Sequence, residues 1–94
     1  GESVRLGEGY PNPTTGVAHI GFTLPIAAQV RVAVEDVAGR RVATLLDQRM
    51  DPGRHEVIWD GRNAGGAPVS PGVYFYQLVV DGRFTSAKRL VIVH

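Results

Sequence analysis

The sequence predicts an all-β protein, and two observations support this fold class. Between the turns, apolar residues alternate with polar ones at a period of two, which is typical of strands with one buried face. Glycine and proline interrupt these runs about every ten residues, a spacing typical of sandwich folds. A single open sheet would leave its apolar face in water, so we expect two packed sheets. The predicted architecture is an immunoglobulin-like antiparallel β-sandwich of about seven strands.

Four segments show the alternation most clearly. The residues predicted to face the core are Ala18, Ile20, Phe22 and Leu24, then Val30, Val32 and Val34, then His55, Val57 and Trp59, and finally Tyr74, Tyr76, Leu78 and Val80. The run Arg40–Met50 has no decisive period. We predict a strand there because both neighbouring segments are strands and the preceding turn is a hairpin turn.

Three turn sequences predict how the strands connect. Asp36-Val37-Ala38-Gly39 has an Asp that caps the turn and a Gly that tolerates positive φ, and Asn63-Ala64-Gly65-Gly66 repeats this chemistry, so we interpret both as one hairpin device used twice. Asp81-Gly82 lies between two apolar runs and predicts a tight hairpin that joins strand Gly72–Val80 to a last strand, Arg83–His94. Trp59 is the expected centre of the core, with its indole N–H bonded to a nearby carbonyl.

Length and composition exclude several classes of function. A chain of 94 residues accommodates one domain. The net charge is +1, and the basic residues, nine Arg and Lys88, are scattered, so we expect no nucleic-acid binding. No apolar run approaches the ~18 residues of a membrane span, so we expect no direct membrane insertion. The chain opens without Met, and we interpret residues 1–4 as a linker from an upstream parent protein and residues 5–94 as the domain.

No constellation predicts catalysis or a cofactor. His19, His55 and His94 are far apart in sequence and lack zinc-type spacing. Asp47, Asp51 and Asp60 lie near predicted loops and would bind calcium only if they shared one end of the sandwich. The rings Tyr10, Phe75 and Phe84 would form a sugar-binding platform only if they were exposed together. We therefore expect a protein that is not an enzyme and holds neither metal nor cofactor.

The most specific segment is Tyr10-Pro11-Asn12-Pro13. Two prolines around Asn12 form a donor-poor, extended stretch that suits an edge crossing or a docking surface rather than a sheet interior. Further ordered elements follow along the chain: a hairpin with Asp36, Gly39, Arg40 and Val42; the run Trp59, Asp60 and Gly61; the strand start Gly72, Val73 and Tyr74; and the closing strand Lys88 to His94.

This ordered set resembles the C-terminal sorting domain of proteins exported by the bacterial type IX secretion system, over residues 5–94. The middle, Asp36–Leu78, also resembles the immunoglobulin-like domain of the flagellar hook-capping protein, in which we do not expect the Tyr-Pro-Asn-Pro opening. The sorting resemblance implies a secretion signal that passes through the periplasm and delivers its parent to the cell surface or the medium. The implied partners are the outer-membrane secretion machinery and a sortase-like peptidase.

The resemblance and the edge argument together nominate two recognition segments. These are Tyr10, Pro11, Asn12 and Pro13, and the last strand, Lys88, Arg89, Leu90, Val91, Ile92, Val93 and His94, whose backbone can pair with a partner strand if it lies at a sheet edge. A free edge would equally allow an edge-strand dimer. A structural role is expected for Asp36, Gly39, Trp59, Asp60, Gly61, Gly72, Tyr74 and Gly82. Two other functions stay open: a structural or assembly module, and a carbohydrate-binding accessory module of a surface protein.

Overall fold

A computed structural model describes residues 3–93, apart from the side chains of residues 84 and 85. Within this range the chain forms strands joined by turns and loops. The strands are β1 (Arg5–Leu6), β2 (Ala18–Leu24), β3 (Ala28–Asp36), β4 (Arg41–Met50), β5 (Gly53–Trp59), β6 (Gly72–Val80) and β7 (Arg83–Ile92). The segment of ambiguous period is therefore a strand, as predicted.

The strands form two antiparallel sheets, which confirms the predicted immunoglobulin-like sandwich. One sheet has the order β1-β2-β5 and the other the order β4-β3-β6-β7. In immunoglobulin constant domains the fourth strand joins the first sheet. Here β4 pairs with β3 instead, so the two sheets have three and four strands. The edge strands are β1 and β5 in the smaller sheet and β4 and β7 in the larger one.

The core lies between the sheets and consists mainly of the residues that the alternation assigned to it. The fully buried large side chains include Ile20, Leu24, Val30, Val32, Val34, Trp59, Tyr76, Leu78, Leu90 and Ile92. Val57 and Val80 are partly buried against this cluster. The His55 ring is also partly buried and lies 5.3 Å from the Phe22 ring, centroid to centroid.

The two turns predicted to share one device have the same hydrogen-bond pattern. Asp36 Oδ1 accepts from the backbone N–H groups of Ala38 and Arg40, two and four residues on. Asn63 Oδ1 accepts from Gly65 and Ala67 at the same spacing. The first turn joins the paired strands β3 and β4. The second lies in the crossover from β5 to β6, where Arg62 and Pro68 pair antiparallel across it and the Val69 N–H donates to the Gly61 carbonyl. The predicted device therefore recurs as a short hairpin outside the two sheets.

The tight turn between β6 and β7 is the predicted hairpin. Asp81 and Gly82 both have positive φ, 52° and 77°, as a type I′ turn requires. Asp81 also ties the turn to β3, since its carboxylate accepts from the Gln29 N–H and its own N–H donates to the Gln29 carbonyl. The last strand ends at Ile92, so Val93 lies outside it, contrary to the prediction.

Trp59 is buried at the end of β5, and its indole N–H donates to the carbonyl of Arg62 at 2.9 Å. The Tyr74 ring packs edge-on against it, with centroids 5.6 Å apart. The Tyr74 hydroxyl donates to the carbonyl of Ser70, four residues upstream. This bond resembles the tyrosine corner of immunoglobulin-like sandwiches, in which a strand-start tyrosine fixes the preceding loop.

The acidic residues considered for calcium do not share one end of the sandwich. Asp51 precedes β5 and Asp60 follows it, so the strand separates them, and Asp47 lies within β4. Among the residues that the structure describes, no three His, Cys, Asp or Glu side chains are grouped so that they could hold a metal ion. His94 lies outside the described residues.

Candidate recognition surface

The residues before β2 cross the open side of the sandwich. We call residues 7–14 the strap. Gly7 continues the β1–β2 pairing by donating its N–H to the Gly21 carbonyl at 2.8 Å. Tyr10 exchanges two backbone hydrogen bonds with His19, and Thr14 pairs with Ile92 of β7. The strap therefore starts on the smaller sheet and ends on the larger one.

Tyr76 holds the first half of the strap in place from the core side. Its ring is fully buried, and its hydroxyl donates to the Gly7 carbonyl at 2.9 Å and accepts from the Gly9 N–H at 2.6 Å. Burial raises the pKa of this hydroxyl above its usual value, so it remains a donor. Gly9 has no room for a side chain, since an added Cβ would lie 3.2 Å from the Tyr76 ring.

The second half of the strap covers the outer edge of β7. The Asn12 side chain donates to the Arg89 carbonyl at 3.1 Å and accepts from the Val91 N–H at 3.0 Å. Thr14 donates its N–H to the Val91 carbonyl and accepts from the Val93 N–H. A strand can pair with a partner only through free backbone groups. The predicted β7 edge exists, but from residue 89 to residue 93 the chain itself occupies it.

The two nominated segments therefore form one continuous surface. Lys88 Nζ contacts Glu8 Oε1 at 2.8 Å, which adds an ion pair between β7 and the strap and raises the pKa of the lysine. Leu90 and Ile92 are buried, while Arg89 and Val93 are exposed. We call the exposed side chains of Tyr10–Pro13, Arg89 and Val93, together with the half-buried Val91, the strap–β7 surface.

Tyr10 anchors this surface to the smaller sheet. Its ring is 54% exposed and stacks on the His19 ring, with centroids 5.1 Å apart and planes 11° apart. Its hydroxyl donates to Glu56 Oε2 at 2.9 Å, while His19 Nδ1 lies 3.0 Å from Glu56 Oε1. The bonds from His19 and Tyr10 hold the pKa of the Glu56 carboxyl below its usual value. The hydrogen bond to Glu56 raises the pKa of the Tyr10 hydroxyl.

The rings considered for sugar binding do not form one platform. Tyr10 lies on the outer face of the smaller sheet, beside His19. Phe75 is 38% exposed and alternates with the buried residues Tyr74 and Tyr76 of β6, so it lies on the outer face of the larger sheet. The sandwich separates these two rings, and the Phe84 side chain lies outside the described part of the chain.

Two members of the site were missed by sequence reasoning. Tyr76 was assigned to the core, but the alternation that predicts its burial does not reveal the partner of its hydroxyl. Glu8 carries no motif at all. The donor-poor Tyr10–Pro13 segment was a usable signal for a crossing between sheet edges, and the structure confirms that crossing.

Sequence comparison identifies the family. The model of the FlgD Ig-like domain matches residues 10–83, and the chain belongs to this family. The matched range starts at Tyr10, so the likeness to this family extends further toward the start of the chain than the expected Asp36–Leu78. A comparison with curated proteins found no significant relative.

Solved structures with the same fold include two from Porphyromonas gingivalis. Dimeric latent PorU shares 24% identity and superposes with a TM-score of 0.78 over 98% of this chain and 10% of PorU. PorZ, described as an essential bacterial surface component of the type IX secretion system, shares 23% identity, with a TM-score of 0.60 over 97% of this chain and 11% of PorZ. The chain thus spans about a tenth of either protein.

The fold also occurs in an unrelated setting. The Pseudomonas fluorescens alkylpurine DNA glycosylase AlkC, solved with DNA containing an abasic site analogue, shares 15% identity and a TM-score of 0.61 over 95% of this chain and 30% of AlkC. At these identities the structural likeness concerns the fold. In the described residues, no helix is long and apolar enough to cross a membrane.

Proposed function

We propose that this domain is a non-catalytic sorting signal, which directs a parent protein across the bacterial outer membrane through the type IX secretion system. The observation that carries the proposal is the junction of Asn12 with Arg89 and Val91. The two segments nominated from the sorting resemblance are distant in sequence, and they form one surface. A partner that recognises both segments therefore requires the folded domain rather than a linear peptide.

The exposed chemistry of the strap–β7 surface supports recognition by a protein. It combines the half-exposed Tyr10 ring, the charge of Arg89 and the apolar Val93. Tyrosine and arginine are the residue types most enriched at the energetic centres of protein interfaces. The fold likeness to parts of PorU and PorZ supports the same context. The proposed partners are the outer-membrane secretion machinery and a sortase-like peptidase, and the proposed destination is the cell surface or the medium.

An export assay tests this proposal. Residues 1–94 are fused behind a periplasmically exported reporter, in a host with a working type IX system and in one without it. We expect the reporter at the surface or in the medium of the first host and in the periplasm of the second. A folded reporter that stays in the periplasm of both hosts contradicts the sorting function.

The family match favours a second function. FlgD Ig-like membership supports an assembly or spacer module, which would use the same fold without an export partner. This alternative predicts that the isolated domain associates with itself or with its parent, through an edge strand such as β4, beyond Val42, whose carbonyl accepts from the Ala64 N–H. Sedimentation of the purified domain, together with periplasmic retention in the export assay, would distinguish this function from sorting.

A further inference from the structure

The outer face of the smaller sheet carries a row of donors. In the pairing of β1, β2 and β5, Thr23 lies opposite Arg5 on one side and Arg54 on the other. Thr23 alternates with the buried Phe22 and Leu24, so all three residues of the row face outward. Neighbouring strands are about 4.8 Å apart, which places the two arginine Cα atoms roughly 10 Å apart with a hydroxyl between them.

The next row across the same sheet has almost no side chains. Gly7 is bonded to Gly21, and Gly21 lies opposite Glu56. The row beyond it holds the stacked rings of Tyr10 and His19. The face is therefore a trough: two glycines form its floor, the arginine row forms one wall, the Tyr10 ring forms the other, and Glu56 closes one end.

Packing does not require glycine at position 21. A Cβ added there would meet its nearest atom, the His55 carbonyl oxygen, at 3.7 Å, which is an ordinary contact. Glycine in the interior of a strand weakens the strand, and it often marks a place where a ligand approaches the backbone closely. Gly7 differs, because a Cβ there would lie 3.2 Å from the Gly21 oxygen.

The two arginines of the wall are available for a ligand. Neither guanidinium forms an ion pair with any residue in the part of the chain that the structure describes, and both residues are exposed. The two carboxylates that line the trough already have side-chain partners: Glu56 is bonded to Tyr10 and His19, and Glu8 to Lys88. Paired guanidinium groups around a hydroxyl match the geometry of a phosphate or carboxylate.

We infer that this trough binds a small oxyanion ligand, namely a phosphate or carboxylate group carried on a hydroxylated body. The anionic group contacts Arg5, Thr23 and Arg54. The body lies over the floor at Gly21, where Glu56 accepts hydrogen bonds from its hydroxyl groups and the Tyr10 ring covers its apolar side. The arginine row lies on the smaller sheet, away from β7, and Tyr10 is the one residue that the site shares with the strap–β7 surface. The anion contact is therefore tested separately from sorting.

The test is a titration of ¹⁵N-labelled domain followed by NMR. The probes are inorganic phosphate, glucose 6-phosphate and glucuronate, with glucose as the neutral control. We expect saturable shifts at residues 5, 23 and 54 with the three anions, tighter binding of glucose 6-phosphate than of inorganic phosphate, and no shift with glucose. The two sugars distinguish a phosphate from a carboxylate as the preferred group.

Two variants locate the ligand. The double variant Arg5→Gln with Arg54→Gln is expected to lower the affinity for every anion at least tenfold. The matched double variant on β4, Arg41→Gln with Arg49→Gln, should leave the affinity unchanged. Gly21→Val is expected to bind inorganic phosphate as before but no longer to bind glucose 6-phosphate, because the added side chain fills only the space over the floor of the trough. Its melting temperature should stay the same. If Gly21→Val does not fold, the comparison of the two double arginine variants tests the site.

Three results would overturn the site. One is the absence of saturable shifts with any anion. Another is equal weakening by the β4 arginine pair, which would indicate screening by net charge. The last is unchanged binding of glucose 6-phosphate by folded Gly21→Val, which would remove the trough floor from the ligand.

Discussion

The side-chain oxygen of Asn12 accepts a hydrogen bond from the backbone N–H of Val91, and its nitrogen donates to the carbonyl of Arg89. One amide thus satisfies two backbone groups of an edge strand, as a neighbouring strand would. Exposed strand edges promote unintended pairing between chains, and proteins commonly cover them. Asn12 and Thr14 cover the last residues of β7 in this way.

Removal of the Asn12 amide should loosen this edge. Asn12→Ala is expected to lower the free energy of unfolding by about 1–2 kcal/mol, because two backbone groups lose their partners. Urea denaturation measures the loss, and amide exchange should accelerate at Val91. Gln48→Ala on β4 is the control, since that exposed side chain donates to Met50 Sδ and should change stability by less than about 0.5 kcal/mol. Equal effects of the two changes would contradict the role given to Asn12.

The Tyr76 hydroxyl should hold the strap. Tyr76→Phe keeps the buried ring but leaves the Gly7 carbonyl and the Gly9 N–H without their partner, so we expect a loss of about 1–3 kcal/mol. Tyr10→Phe is the matched control. It removes an exposed hydroxyl from Glu56 and is expected to cost less than about 0.5 kcal/mol. Thermal denaturation of both variants makes the comparison, and a larger loss for Tyr10→Phe would refute it.

Gly61 should tolerate a side chain less well than Gly66. Both have positive φ, 76° and 86°, so alanine costs about 1–2 kcal/mol at either position. At Gly61 the added Cβ would also lie 2.7 Å from the Gly16 oxygen, whereas at Gly66 it would meet nothing within 4 Å. In urea denaturation, we expect Gly61→Ala to lose about 1–3 kcal/mol more unfolding free energy than Gly66→Ala. Similar losses would show that the Gly16 segment moves aside.

Asp36 should make stability depend on acidity. The Arg40 N–H holds the pKa of the Asp36 carboxyl below its usual value, so its contribution is present above the unfolded pKa, about 3.9. That contribution is lost as the pH falls through the lower, folded pKa. Asn63 makes the same bonds in the second turn with an amide, so Asp36→Asn should fold and lack this part of the acid loss.

The measurement is the unfolding midpoint of wild type and Asp36→Asn between pH 6 and pH 2. Wild type should lose more stability than the variant toward low pH. Parallel curves would contradict the assignment. Glu56, whose pKa is also lowered, contributes to both curves alike and cancels in the difference.

Local patterns predicted most of the fold. The alternation identified the core faces of β2, β3 and β6, and Asp81-Gly82 predicted its hairpin because both features depend on neighbouring residues. The hairpin turn at Asp36–Gly39 likewise predicted that β4 pairs with β3. How the other strands divide between the two sheets was not predictable, since alternation specifies a face and not a partner. The turn chemistry at Asn63 is local and was predicted, whereas its place in the crossover from β5 to β6 depends on distant packing.

The candidate site was predictable in its parts and not in its assembly. The prolines around Asn12 indicated an edge crossing, but the bonds from Asn12 to Arg89 and Val91 span almost the whole chain and leave no periodic signal. The row of Arg5, Thr23 and Arg54 likewise appears only once the strand register is known.

The most direct test of the account is charge reversal on the strap–β7 surface in the export assay. Arg89→Glu changes this surface, and Arg49→Glu makes the same change on the opposite edge strand of the same sheet. Both residues are exposed, so both variants should fold. The account predicts that Arg89→Glu leaves the reporter in the periplasm while Arg49→Glu is exported normally. Normal export of folded Arg89→Glu, or retention of Arg49→Glu alone, would contradict it.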